Sequence, residues 1–109
     1  MIITDEKTQQ SLDYLASTDE KLAKLKARMK GLDHAIKVLK ADIFLQEKGK
    51  GTDSDRKAKA EVHSDVISMY EELHDAFADV EIIEAKRKRA ELNIEVWRTE
   101  QANRRKGNI

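Results

Sequence analysis

Glu71 and His74 are the residues whose types and spacing come nearest to a catalytic centre. A Glu-x-x-His pair on a helix supplies two ligands to the carboxylate-bridged di-iron sites of four-helix bundles, which use two copies of the motif and two further glutamates. This chain has a single copy, so such a site would require a second chain. The alternative is a solvated helix face, because His74 directly follows a predicted core residue and its side chain would point outward.

No other pattern in the sequence supplies catalytic chemistry. Cysteine is absent, and no Ser/His/Asp arrangement is available to activate a nucleophile. His34 and His63 lie on different predicted helices at positions that do not face each other, which argues against a shared metal site. The segment 49–52 contains two glycines and a lysine but lacks the spacing of a phosphate-binding loop. We therefore predict a non-enzymatic protein with no catalytic residue, metal or cofactor.

The residues most suited to contact nucleic acid or a protein partner lie near the C-terminus: Trp97, Arg98, Arg104, Arg105 and Lys106. No acidic residue follows Glu100, so the last three cations could reach phosphate groups, with one aromatic ring nearby for stacking. The structural alternative is a solvated helix end, where the helix dipole favours cations.

Trp97 and the basic run 86–89 each have a structural and a functional interpretation. Trp97 continues the apolar row of its helix and would pack near Thr8, covered by Ile2 and Ile3; exposed, it would instead anchor a partner. The run Lys86-Arg87-Lys88-Arg89 faces acidic residues of the first predicted helix. We expect most of its charge to be neutralised within the chain.

The composition is that of long helices. The chain has 109 residues, no proline, and 21 basic residues balanced by 21 acidic ones. Zero formal net charge provides no global attraction to nucleic acid or to an anionic membrane. No signal-peptide pattern and no apolar run long enough to span a membrane occur, so we expect a cytoplasmic protein.

The elements that must position these residues are two helices in a single domain, 1–109. Helix-breaking residues cluster around Gly49 and Gly51. The sequence therefore predicts one helix over about 6–48, a turn over 49–54, and a second helix over about 55–105. Gly49 suits the end of the first helix, and Asp53, Ser54 or Asp55 suits the N-cap of the second.

Apolar residues recur at alternating spacings of three and four in both helices, which is typical of coiled-coil packing. The first row is Leu15, Leu22, Leu25, Met29, Leu32, Ile36, Leu39 and Ile43. The second is Val62, Val66, Met69, Leu73, Ala76, Val80, Ile83, Arg87, Ala90, Ile94 and Trp97. We call these positions the core rows.

A short turn between helices of similar length predicts an antiparallel hairpin. Facing residues would then have numbers that add to about 105, which places basic segments of one helix beside acidic segments of the other. Arg87, the one charged member of its core row, would meet Thr18, with Asp19 as a partner.

Further apolar residues lie outside the core rows: Leu12, Val38, Phe44, Leu45, Tyr70, Phe77, Ile82, Leu92 and Val96. They predict a second hairpin packed against the first, giving a homodimeric four-helix bundle. The alternative is that they are scattered surface residues.

The segment 84–98, EAKRKRAELNIEVWR, together with Asn103-Arg104-Arg105, resembles small helical proteins encoded by tailed phages and prophages. The likeness covers mainly the C-terminal quarter. It implies a phage accessory protein that acts on host or phage machinery, with no catalytic residues to transfer. We therefore predict an all-α, non-enzymatic protein-interaction module whose protein partner the sequence does not identify. The alternative is an accessory nucleic-acid-binding protein of phage replication or recombination that uses the basic C-terminal end.

Overall fold

The computed structural model describes residues 2–107, and within them it contains three α-helices and no strand. They are α1 (Asp5–Gln46), α2 (Asp53–Val62) and α3 (Ser64–Arg105). The predicted all-α class is confirmed, as expected for a chain without proline and rich in good helix formers. None of the described helices is long and apolar enough to cross a membrane.

The turn between α1 and α2 depends on two glycines and a capping box. Gly49 and Gly51 have φ of +81° and +107°, a region that residues with a Cβ rarely adopt. Thr52 is the N-cap of α2: its hydroxyl accepts from the Asp55 amide at 3.2 Å, and the Asp55 carboxylate accepts from the Thr52 amide at 3.1 Å. The predicted N-cap at 53–55 was therefore wrong, because Asp55 serves as the reciprocal partner of the cap.

The second predicted helix is interrupted at His63, whose ψ of 135° is extended. The interruption joins two helices of different phase, because Ala60 of α2 and Val66 of α3 are both buried. Val62, predicted to lie in the core row, is 71% exposed, so that assignment was wrong. The His63 ring nitrogen Nδ1 accepts from the Asp65 amide at 3.1 Å, which satisfies a free N–H in the first turn of α3.

The chain divides into two units, and each is described separately. Unit 2 is Lys24–Asp79. Its core contains the buried side chains Ile36, Ile43, Ala60 and Val66, with Leu39, Met69, Tyr70 and Leu73 packed against them. Outside Val62, every predicted core-row position is buried or half-buried, so heptad spacing identified the inward face of α1 and α3.

The end of α1 is fixed in unit 2 by Arg56 of α2. Arg56 donates from Nη2 and Nε to the Phe44 carbonyl oxygen at 2.7 and 3.1 Å, and its guanidinium lies 3.8 Å from the centre of the Phe44 ring. That carbonyl is one of the last four of α1, which have no partner within the helix. Arg56 thereby caps α1 from another helix.

Unit 1 comprises the chain up to Ala23 and from Val80 onward. Its core row on α1 is partly polar, because Thr8, Ser11 and Thr18 are buried there. Their hydroxyls donate to the carbonyl oxygens four residues earlier in the chain, at 2.7–3.1 Å. These residues continue the three-and-four spacing of the leucines. Because they are polar, the apolar pattern of the sequence does not identify them as core residues.

Candidate functional site

Arg87 lies between the two segments of unit 1 and makes the predicted contacts with Thr18 and Asp19. It donates to the Thr18 hydroxyl at 2.7 Å, to the Leu15 carbonyl oxygen at 2.8 Å and to the Asp19 carboxylate at 2.7 Å. Its side chain is largely buried, and the three acceptors satisfy a charge that would otherwise be costly in a core row. The role of Arg87 is structural.

The other cations of the 86–89 run do not behave as predicted. Lys86, Lys88 and Arg89 are exposed and form no ion pair within the part of the chain that the structure describes. The expectation that most of this charge is neutralised internally was wrong. The reason is positional: of the four side chains, that of Arg87 points into the core row, where it reaches Asp19.

Trp97 is half-buried, and its indole N–H donates to the Asp5 carboxylate at 2.8 Å. Ile3 is buried beside this region of α3, where its amide donates to the Glu100 carboxylate at 3.1 Å. Ile2 is exposed, so the prediction that it covers the tryptophan was wrong. The hydrogen bond to Asp5 shows that Trp97 connects the two segments of unit 1.

The remaining predicted contact residues separate into two groups. Arg98 is exposed and pairs with Glu95, one turn earlier, at 3.3 Å. Arg104, Arg105 and Lys106 are exposed at the end of α3 and form no ion pair with any described residue. These three cations are thus unpaired within residues 2–107, and at this helix end they also interact favourably with the helix dipole.

The described residues contain no cluster of histidine and carboxylate side chains suited to a metal ion. His74 is exposed on α3, and its ring centre is 6.3 Å from that of Tyr70. Among the described residues, no group of three or more His, Asp or Glu side chains is placed to hold a metal ion. The Glu71-x-x-His74 motif is thus not joined there by further ligands.

A second row of side chains runs along α3 beside its core row: Ile67, Tyr70, His74 and Phe77. We call it the α3 stripe. Its spacings of three, four and three repeat those of a coiled-coil row. Ile67 and Phe77 are 46% and 51% exposed, and Tyr70 is half-buried. Phe77 also lines a groove of about 380 Å³ with Met29, Lys30, Asp33, Leu73 and His74.

Tyr70 connects the stripe to α1 through Lys40. The Lys40 ammonium donates to the Glu61 carboxylate at 2.6 Å and to the Tyr70 hydroxyl at 3.2 Å. The hydrogen bond to Glu61, followed by the one to Tyr70, raises the pKa of Lys40 above 10.5. One end of the stripe is therefore anchored to both α1 and α2.

Comparison of the chain with protein-family models, with curated proteins and with solved structures found no match.

Proposed function

We propose that this protein is a non-enzymatic protein-interaction module built as an antiparallel two-helix hairpin with coiled-coil packing. A second copy packs on the α3 stripe and completes a four-helix bundle. The observation that supports this proposal best is the stripe itself: it has coiled-coil spacing, yet Ile67 and Phe77 are about half exposed.

The hairpin is supported by the direction of the contacts inside each unit. In unit 1, Asp5 bonds to Trp97, Ser11 to Asn93 and Thr18 to Arg87. In unit 2, Arg28 pairs with Glu72 and Lys40 with Glu61. In both series the number on one segment rises as the number on the other falls, as an antiparallel helix pair requires. The paired numbers add to 102–105 in unit 1, close to the register of about 105 that the core rows predict, and to 100–101 in unit 2.

Self-association is supported by how little apolar surface two helices can bury. Ordering each residue costs about 1–2 kcal/mol of backbone entropy, so a two-helix protein needs further burial to be stable. Nine larger apolar side chains are 46–78% exposed: Ile2, Leu12, Val38, Leu45, Val62, Ile67, Phe77, Ile82 and Leu92. A second copy of the chain can cover these side chains, and it is available wherever the protein is made.

The α3 stripe suits a symmetric contact. In a two-fold dimer the same residues meet on both copies, so each Phe77 can enter the groove beside Leu73 and Met29 of the other copy. Aromatic side chains that fill such a pocket contribute much of the binding energy of an interface. The groove flanks, Lys30 and Asp33, carry opposite charges that can pair across the two-fold axis.

Light scattering after size exclusion, over a range of protein concentrations, tests the dimer. We expect the wild type to elute at twice its chain mass of 12.5 kDa. The double variant Ile67→Ser/Phe77→Ser removes two exposed apolar groups from the stripe and should raise the dissociation constant at least about tenfold. The matched control, Val38→Ser/Leu45→Ser, removes two exposed apolar side chains from α1, outside the stripe, and should remain dimeric.

A wild type that stays monomeric throughout the concentration series would refute the proposal. So would equal weakening in the two double variants, because the contact would then not depend on the stripe. Far-UV circular dichroism of each variant verifies that its helices are retained.

We further propose that the module is a phage accessory protein that acts on host or phage machinery in the cytoplasm of the host cell. This rests on the resemblance carried by the segment 84–98. Affinity purification from host cells tests it: we expect the wild type to retain a phage or host protein that an unrelated helical hairpin on the same resin does not retain. If no protein is retained specifically by the wild type, the proposal is contradicted.

A second candidate function, binding to nucleic acid, is favoured by the three cations at the end of α3, which have no ion pair with any described residue. If Arg104, Arg105 and Lys106 contact phosphates, their replacement by Ala should weaken oligonucleotide binding and reduce its salt dependence. Dimerisation should be unchanged in that variant, since these residues lie outside the stripe. Unchanged oligonucleotide binding would reject this candidate.

A further inference from the structure

A groove of about 270 Å³ lies between the two segments of unit 1 and has a different character from the apolar groove of unit 2. Its lining residues are Lys7, Gln10, Ser11, Tyr14, Lys86, Arg89, Ala90 and Asn93. We call it the basic groove. It forms where the core rows carry small residues, Ser11 and Ala90, both of which are buried.

The charge of the groove is of one sign. Lys7 on α1 and Lys86 and Arg89 on α3 are exposed, and no acidic residue lines the groove. None of these three cations forms an ion pair within the described residues. Other cations between helices are paired in the structure, for example Lys40 with Glu61 and Arg87 with Asp19. Three unneutralised cations around one concave surface favour a ligand with several negative charges.

The floor of the groove is polar and held in place. Asn93 donates from its amide nitrogen to the Ser11 hydroxyl at 3.3 Å, and that hydroxyl donates to the Lys7 carbonyl oxygen at 3.0 Å. The amide oxygen of Asn93 makes no hydrogen bond with a described residue. Together with Gln10, it offers both donors and acceptors beside the cations, the groups needed to contact the edge of a base.

Tyr14 adds a half-buried aromatic ring at the same groove. A base can stack on such a ring, and this contact is worth about 1–3 kcal/mol per base in single-strand-binding proteins, with little dependence on sequence. Bases stack in this way only when they are unpaired, so the combination of ring and cations favours a single strand over a duplex.

We propose that the basic groove binds single-stranded nucleic acid, with Lys7, Lys86 and Arg89 on phosphates and Tyr14 on a base. The groove volume of about 270 Å³ is below the range of about 300–1,000 Å³ typical of pockets for drug-sized ligands, so the groove contacts part of the strand and does not enclose it. The rest of the strand follows the outside of the groove. This function goes beyond the protein-interaction role and uses a surface in a different unit from the α3 stripe.

The test is fluorescence anisotropy of a labelled oligothymidylate with the full chain at two salt concentrations. Three phosphate contacts predict a salt slope of about −2, so affinity should fall about 20-fold between about 50 and 200 mM salt. Lys86→Ala/Arg89→Ala should weaken binding about tenfold or more and bring the slope to about −0.7. Tyr14→Leu should weaken binding while leaving the slope unchanged.

The matched control is Lys48→Ala/Lys57→Ala, which removes the same charge from exposed positions of unit 2. If this control loses as much affinity as the groove variant, or if neither loses affinity, the assignment is overturned. Equal binding of a duplex of the same length would overturn the preference for a single strand, and equal binding of heparin would reduce the groove to a general polyanion surface. Dimer mass measured on the same samples separates these outcomes from failure of the α3 stripe.

Discussion

Two arginines, Arg56 and Arg87, connect different helices through hydrogen bonds. The sequence predicts the contacts of Arg87 but not those of Arg56. Arg87 interrupts an apolar core row, so its position alone calls for polar partners, and Thr18 and Asp19 provide them. Arg56 lies in the short helix α2 and does not take the place of an apolar residue in a core row, so its position gives no reason to expect a polar partner. Its acceptor is a main-chain carbonyl, that of Phe44, which carries no side-chain signature.

Arg56→Lys tests the cap on α1. Lysine keeps the charge but cannot donate twice to the Phe44 carbonyl while stacking on the ring, so the free energy of unfolding should fall by about 1–2 kcal/mol. Urea denaturation at a fixed protein concentration measures it. Lys57→Met, at an exposed neighbouring position, is the control and should change stability by less than about 0.5 kcal/mol. Equal stability of the wild type and Arg56→Lys would show that the cap contributes nothing.

The ion pair of Lys40 with Glu61 makes the stability of the folded protein depend on pH in the alkaline range. Its pKa is raised in the folded state, so the ion pair stabilises the protein fully below pH 10.5 and ceases to do so as pH rises through the raised pKa. Lys40→Met should therefore lower the free energy of unfolding by about 0.2–1 kcal/mol near pH 8, as expected for a partly exposed pair.

The difference between the wild type and Lys40→Met should shrink above pH 10.5. Denaturant titrations at several pH values, referred to Lys57→Met to remove the general effect of losing a lysine, measure this. A difference that stays constant through the alkaline range would contradict the role of the Lys40–Glu61 bond.

At the scale of the elements, the sequence predicts which faces of the long helices are buried but not where the second helix is interrupted. The core rows follow from spacing, since apolar residues at intervals of three and four can meet one neighbouring helix only. His63 carries no such signal, because neither glycine nor proline marks it. The interruption coincides with a change of phase: in one continuous helix Val62 would share a face with Val66, yet Val62 is exposed and Ala60 is buried.

Thr52→Ala tests the start of α2. Loss of the hydroxyl that accepts from the Asp55 amide should lower the free energy of unfolding by about 1 kcal/mol, and Thr52→Ser should retain it. Ser54→Ala is the matched control, because composition alone makes Ser54 an equally good candidate for the cap. A larger loss for Ser54→Ala than for Thr52→Ala, measured by thermal denaturation, would contradict the capping box.

At the scale of the whole molecule, the two candidate surfaces differ in how visible they are in the sequence. The off-row apolar residues predict that a surface for a second helix exists, and Tyr70 and Phe77 of the α3 stripe are among them. Ile67 and His74 are not among them; each directly follows a core-row residue of α3, Val66 and Leu73, which places both beside the core row. The basic groove is harder to predict from the sequence, because Lys7 and Lys86 are far apart in the chain. The acidic residues of α1 also predict ion pairs with Lys86 and Arg89, and these are absent among the described residues.

Both proposed surfaces require that one chain fold back on itself, so the most direct test is an intrachain cross-link in unit 1. Because the chain has no cysteine, Ser11→Cys/Asn93→Cys introduces one reactive pair, at positions whose side chains lie 3.3 Å apart. With a short bismaleimide at high dilution, we predict a cross-linked product of single-chain mass. Glu6→Cys/Asn93→Cys is the control, since Glu6 lies about 140° around α1 from Ser11 and should not react in this way. Cross-links formed only between chains would contradict the hairpin and show that the helices are exchanged between copies.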